Sequence, residues 1–171
     1  MKKLIAFVVV VVLLASCKKK ISELPDAPGT GSETFGAEVN GKLWVPQKFG
    51  IMPFAQILEA NYEPNNSVVI HARNFASSPK ESEFEFRLKN ITVPGVYILG
   101  GDSGNSAYYV ERKFTPTDAW KTDAQHTGTI TIAVNDKTYR IIAGTFQFEA
   151  ASLYGRAPLT VTSGRFDLKV Q

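Results

Sequence analysis

Cysteine is almost absent: Cys17 is the only one in 171 residues. A lone cysteine excludes a disulfide within the chain, and it excludes a structural zinc site built on thiolates. Histidine is nearly as scarce. His71 and His126 stand far apart in sequence, without the local spacing of a zinc motif. No window of useful length repeats its apolar residues every 3.6 positions, so amphipathic helices are not expected. Without helices there is no glycine-rich phosphate loop opening one. A strong charge of one sign is also missing, with Lys+Arg 19 against Asp+Glu 16. Basic residues form no stripe interleaved with aromatics, which argues against a nucleic-acid partner. The longest apolar run, Leu4 to Leu14, falls short of the roughly 20 residues that cross a bilayer as a helix.

That short run lies in an informative setting. Met1-Lys2-Lys3 is a cationic start, the apolar run follows, and Ala15-Ser16 are small. A charged start, an apolar stretch of about 7–15 residues and a small-residue cleavage site describe a secretory signal peptide. Leu14-Ala15-Ser16-Cys17 resembles the bacterial lipobox. That resemblance implies cleavage before Cys17, a diacylglycerol on its sulfur and an acyl chain such as palmitate on the new amino group. Each buried methylene contributes about 0.8 kcal/mol, so two or three chains would hold the protein at a membrane. The expected organisation is a signal peptide over 1–16, a lipidated cysteine with a flexible tether over 17–33, and one domain over 34–171. Removing Lys2 and Lys3 leaves the mature chain near neutral.

The domain reads as strands. Asn40-Gly41 separates two alternating runs, the signature of a hairpin turn with positive φ at both central positions. Trp44 is expected inward. Phe84, Phe86 and Leu88 alternate with Glu83, Glu85 and Arg87, as in a half-buried antiparallel strand, so both glutamates should be solvated. Thr115 to Gln125, with Pro116 and Trp120, reads as an ordered loop. Three segments share glycine, a polar residue, and then apolar residues two apart: Gly128 to Ile132, Gly144 to Phe148 and Gly164 to Leu168. Their apolar residues should share one buried face, and glycine at such places marks a bulge or a close backbone approach. The expectation is an all-β single domain, an antiparallel sandwich or barrel-like fold of roughly nine or ten strands.

Phe35-Gly36-Ala37-Glu38-Val39-Asn40-Gly41-Lys42-Leu43-Trp44, His126 to Ile130, Ile142 to Phe148 and Thr162 to Asp167 resemble the DUF6252 family of uncharacterised Bacteroidota lipoproteins. The resemblance supplies no activity, substrate or catalytic residue. It implies a cell-envelope protein of the outer membrane. Lys18-Lys19-Lys20, where that phylum's surface-export signal carries acidic residues, leans toward the periplasmic face.

Catalytic signals are weak. Ser103 in Gly101-Asp102-Ser103-Gly104 resembles the segment around a chymotrypsin-type nucleophile, but its neighbours do not continue the likeness, and a tight glycine turn accounts for it. Asp102 to Asn105 offers oxygen ligands without the loop pattern of a calcium site. His126 stands near Asp123, which could orient it or merely bond it in a turn. His71 alternates within a strand. No cofactor is implied. The residues with some claim to a ligand are aromatics at expected loops and ends: Tyr62, Tyr108, Tyr109, Trp120 and Tyr154. Two functions follow as expectations. One is a non-enzymatic binding or interaction module of the cell envelope, with a protein or glycan partner. The other is a glycan-directed hydrolase, which requires two carboxylates facing each other across a cleft.

Overall fold

The computed structural model describes residues 23–48, 56–76, 81–112 and 116–171. Among these residues it is all-β, with eleven strands paired antiparallel. They are β1 (Thr34–Val39), β2 (Lys42–Trp44), β3 (Leu58–Glu63), β4 (Ser67–Asn74), β5 (Glu81–Leu88) and β6 (Gly95–Leu99), then β7 (Ser106–Arg112), β8 (Pro116–Lys121), β9 (Gly128–Asp136), β10 (Ile141–Ser152) and β11 (Leu159–Lys169). Among the described residues the only helical piece is one 3-10 turn, Gly101–Ser103. No helix among them is long and apolar enough to cross a membrane.

Two sheets face each other. The first runs β2-β1-β11-β10-β9-β6 and the second runs β3-β4-β5-β7-β8. Strands β10 and β11 join them because they outrun their neighbours. Beyond the reach of β9, Ala151 and Ser152 of β10 pair with Lys121 and Trp120 of β8. Past the start of β1, Gln171 donates its N–H to Ala60 O in β3 at 2.8 Å. The result is a sandwich with barrel-like closure.

Rings from both sheets fill the space between them. Phe35 lies 5.6 Å from Phe84, and Phe86 lies 4.8 Å from Phe146, between ring centroids. Trp44 meets Phe84 edge-on at 4.7 Å and donates its indole N–H to Ser82 Oγ at 2.8 Å. Strand alternation delivers these residues: Phe84, Phe86 and Leu88 are buried, as are Ile130, Ile132, Phe146, Phe148, Phe166 and Leu168. The glycine pattern also has a physical explanation. Gly128 pairs with Phe148, Gly144 with Phe166 and Gly164 with Phe146 across neighbouring strands. A Cβ on Gly164 would sit 2.3 Å from the Phe146 ring, and one on Gly144 would sit 1.9 Å from Thr131 O. Each glycine leaves the room its phenylalanine partner or the adjacent backbone occupies.

Three expectations need correction. Pro116–Lys121 is not a loop but strand β8, paired with β7. Pro116 misleads because proline is acceptable at the first residue of a strand. Ser163-Gly164 divides the sequence into two runs that read as separate strands, 159–162 and 165–170, yet they form one strand, β11, bent by bulges where Ser163 adopts φ 55°. With β8 added, the described residues hold eleven strands, in keeping with the roughly nine or ten expected.

The third correction concerns the expected tether. Residues 26–33 are bound to the domain. Gly29 N and Thr30 N donate to Asp167 Oδ2 at 3.0 Å each, and Gly31 N donates to Oδ1 at 2.7 Å. Glu33 Oε1 accepts from Lys169 N at 2.7 Å, and Thr34 Oγ1 donates to Asp26 O. Leu24 and Pro25 lie over Gly36. This stretch is poor in apolar residues and was expected to lack anything to bury. It docks chiefly through its backbone N–H groups, with the Glu33 carboxylate and the Leu24 and Pro25 side chains adding contacts.

Candidate functional site

The docked N-terminal strap covers one part of the first sheet's outer face. Alternation along β11 turns Phe166 and Leu168 inward and Arg165, Asp167 and Lys169 outward. Asp167 is nevertheless fully buried, because the strap closes over it. Gly29 and Gly31 both have positive φ, 80° and 74°. That conformation aims three successive N–H groups at one carboxylate, an anion-holding nest. Burial pushes the Asp167 carboxyl upward, but the backbone N–H bonds of the strap, led by Thr30 and Gly31, outweigh it and hold the pKa below its ordinary value.

Beside the strap the same face stays open. A shallow trough of about 460 Å³ lies over Thr129 and Thr131 of β9, Thr145 and Gln147 of β10, and Arg165 of β11, with Ala27 of the strap on its rim. A second hollow of about 260 Å³ shares Thr129 and Gln147 with it and continues to Glu149 and Thr160. Register explains the lining. Val96, Thr131, Thr145, Arg165 and Gly36 pair in one continuous row across five strands. Directly paired residues point to the same side of a sheet. Ile98, Thr129 and Gln147 form the next row. Val96 and Ile98, on the edge strand β6, are exposed large apolar residues. Glu38 lies further along β1 and accepts hydrogen bonds from Thr162 Oγ1 and Ser163 Oγ.

The outer face of the second sheet is built differently. Glu83, expected to be solvated, has a side chain only 14% exposed. It accepts from His71 Nδ1 at 2.9 Å and Arg73 Nε at 3.0 Å, and it also pairs with Arg112. Arg73 reaches on to Glu59 at 3.0 Å. Burial raises the Glu83 pKa, but the His71 hydrogen bond and the two guanidinium charges outweigh it, leaving the pKa lowered. This network ties β3, β4, β5 and β7 together side chain to side chain. Its carboxylates are held ionised, which suits a structural role and does not suit a general acid.

The other expected site residues are scattered. Tyr109 and Trp120 belong to the core, 3% and 8% exposed, with ring centroids 5.9 Å apart. They do not reach a surface ligand, because β7 turns Tyr109 inward and the Trp120 indole N–H is held by Ala157 O at 2.9 Å. Tyr108 faces outward, and burial followed by the nearby Tyr154 raises its pKa. Tyr154 itself is exposed. Tyr62 sits at one end of the domain, donating to Asn135 Oδ1 at 3.0 Å, with Lys137 Nζ 5.9 Å from its ring centre. A hollow of about 340 Å³ there includes Glu63 and Arg140. The five aromatics therefore form no common site.

His126 Nδ1 does meet Asp123 Oδ1 at 3.1 Å, but the same oxygen accepts the N–H groups of Gln125 and His126 at 2.8 and 2.7 Å. Those bonds, led by the His126 backbone, lower the Asp123 pKa. Ser103 Oγ donates to Gly100 O at 2.7 Å and accepts from Asn105 N at 3.1 Å. It is a turn residue with no histidine bonded to it among the described residues. Among those residues no group of three or more His, Cys, Asp or Glu could hold a metal ion. Cys17 lies outside the described residues.

Sequence reasoning missed the trough, Asp167 and the Glu83 hub. The trough residues are ordinary strand threonines whose alignment depends on register between distant segments. The one available signal was the outward position of Thr129, Thr131, Thr145, Gln147 and Arg165 in the repeated glycine pattern.

No curated protein and no solved structure matches the chain. A family model does, that of a domain of unknown function, DUF6252, over residues 32–168. With most of its length matched, the chain belongs to the DUF6252 family.

Proposed function

We propose that this protein is a non-enzymatic binding module of the bacterial cell envelope, anchored through lipid on Cys17, with the outer face of its first sheet as the binding surface. The observation that carries the binding reading is the open trough over Thr129, Thr131, Thr145, Gln147 and Arg165. Hydroxyl and amide groups arrayed on a rigid sheet suit a polar ligand that exchanges hydrogen bonds with water for hydrogen bonds with protein. The lipobox at Leu14 to Cys17 supports the anchor, with the outer membrane as its home and the periplasmic face favoured. The strap adds a consequence. Because residues 26–33 are docked, fewer residues separate the domain from the lipid than the expected tether over 17–33.

The glycan-directed hydrolase is less well supported. It needs an acid and a base facing each other. The trough has no carboxylate in its lining, and two further hollows among the described residues have one each, Glu149 and Glu63.

Two measurements test the reading. Metabolic labelling with a fatty-acid analogue should mark the wild type, and Cys17→Ala should lose the label and leave the membrane fraction. Labelling that persists in the variant refutes the anchor. A panel of soluble glycans and peptides should give at least one binder whose affinity falls in Thr145→Arg, which fills the trough. Release of new reducing ends from any glycan would instead establish the hydrolase.

A further inference from the structure

The trough contains one charged residue whose side chain bonds nothing among the described residues. Arg73, Arg87, Arg112, Arg140 and Arg156 each bond a carboxylate or a carbonyl. Arg165 is half-buried and, among the described residues, makes no hydrogen bond or ion pair. A guanidinium carries five N–H donors in a planar fork that matches a carboxylate two bonds at a time. Leaving such a group partly desolvated and unpaired on a sheet face costs stability, and an anionic ligand would recover that cost.

The surroundings narrow the ligand further. Thr131 and Thr145 flank Arg165 in its own row, and neither side chain is bonded among the described residues. Gln147 stands in the next row and is equally free. These groups both donate and accept, as a sugar hydroxyl requires. Glu38, already taking two hydroxyl hydrogens, stands two residues along β1 from Gly36, the partner of Arg165, without an ion pair to it among the described residues; Glu149 lies in the adjoining hollow, and both add acceptors. At the far side Val96 and Ile98, 65% and 50% exposed, offer an apolar edge for the C–H face of a ring. There is no deep apolar pocket to take a peptide side chain, and no exposed aromatic in the lining to stack a base.

We infer that the trough binds a carboxylate-bearing glycan of the uronate type, with the carboxylate on Arg165 and ring hydroxyls on Thr131, Thr145 and Gln147. This rests on the binding-module reading and specifies its ligand class. The guanidinium supplies charge recognition, and the hydroxyl rows supply selectivity for a sugar over a simple anion.

Titration calorimetry on the full mature chain in detergent micelles tests it. The probes are an oligogalacturonate, its methyl-ester form with the charge removed, poly-glutamate, and inorganic phosphate. The oligogalacturonate should bind, and the ester should bind about tenfold or more weakly. Arg165→Gln should lose a similar factor at a melting temperature equal to or slightly above that of the wild type, since its guanidinium bonds nothing among the described residues and its partial desolvation costs stability. The Thr131→Val, Thr145→Val double variant keeps the charge and should weaken the uronate while leaving phosphate unaffected. Equal affinity for poly-glutamate would reduce the site to an anion or peptide surface and overturn the glycan assignment. Binding of the ester equal to that of the acid would overturn the role of Arg165 yet keep the binding module. Absence of uronate binding, with a neutral glycan still bound at the trough, would likewise reject this ligand class alone.

Discussion

Asp167→Asn isolates the strap's docking. In the wild type one carboxylate accepts three backbone N–H groups at 2.7–3.0 Å while fully buried. Hydrogen bonds to a charged group contribute about 1.5–3 kcal/mol each, and desolvating the carboxylate offsets a large share of the sum. The carboxamide keeps one acceptor oxygen and turns an NH2 toward N–H donors. The expected loss is about 2–3 kcal/mol. It is capped by the strap's own docking energy, since undocking returns the frustrated groups to water. For a domain of this size that is a fall of about 6–12 °C in Tm. The pH dependence follows from the lowered carboxyl pKa. The folded state favours the ionised form, so the stabilisation is fully present above the ordinary value of 3.8 and is lost as pH falls through the lower folded value. Wild type and variant should therefore differ most at neutral pH and converge in acid. Circular dichroism melts measure the stability, and hydrogen exchange at Gly29, Thr30 and Gly31 reports the docking. A variant that melts within about 1 °C of wild type, with those amides equally protected, would show that the nest contributes nothing.

Other perturbations give separate outcomes. Gly144→Ala puts a Cβ 1.9 Å from Thr131 O, so little folded protein should accumulate; Gly41→Ala, with open space but φ 71°, should cost only about 1 kcal/mol in urea unfolding. Phe84→Ala empties the centre of the ring cluster and should cost about 3–5 kcal/mol; a smaller shift of the urea midpoint would mean the two sheets close over the gap. Glu83→Gln leaves Arg73, Arg112 and His71 without their shared anion and should cost about 2 kcal/mol, read as the same midpoint. Burial pushes the Tyr109 hydroxyl from its ordinary 10.0 up to about 12. The folded state then holds its proton more tightly than the unfolded one, so stability should decline as pH rises between those values; a difference in phenolate absorbance between wild type and Tyr109→Phe already present at pH 10, with the other five tyrosines cancelling, would contradict that.

The periodicity of two in Glu83 to Leu88 and in the three glycine-led segments was enough to assign an all-β domain and most of its core. Side chains on a pleated strand have no freedom to choose another face. The Asn40-Gly41 turn was equally legible, and both residues have positive φ, 49° and 71°. Local chemistry misled where it matched two structures: Pro116 opens a strand as well as a loop, and Ser163-Gly164 bends a strand as well as ending it. The tertiary structure alone decided what lies beside what. Asp167 looks like an outward polar residue until a segment 136 residues away brings it three N–H groups. Glu83 looks solvated until β4 and β7 place two guanidinium groups and an imidazole on it. Arg165 and the threonines become one surface only when β9, β10 and β11 adopt their register. A strand dictates which side of the sheet each residue takes, because that is fixed by its own backbone. Its neighbours are set by pairing between segments remote in the chain, and the trough, the nest and the ion-pair hub are properties of those pairings.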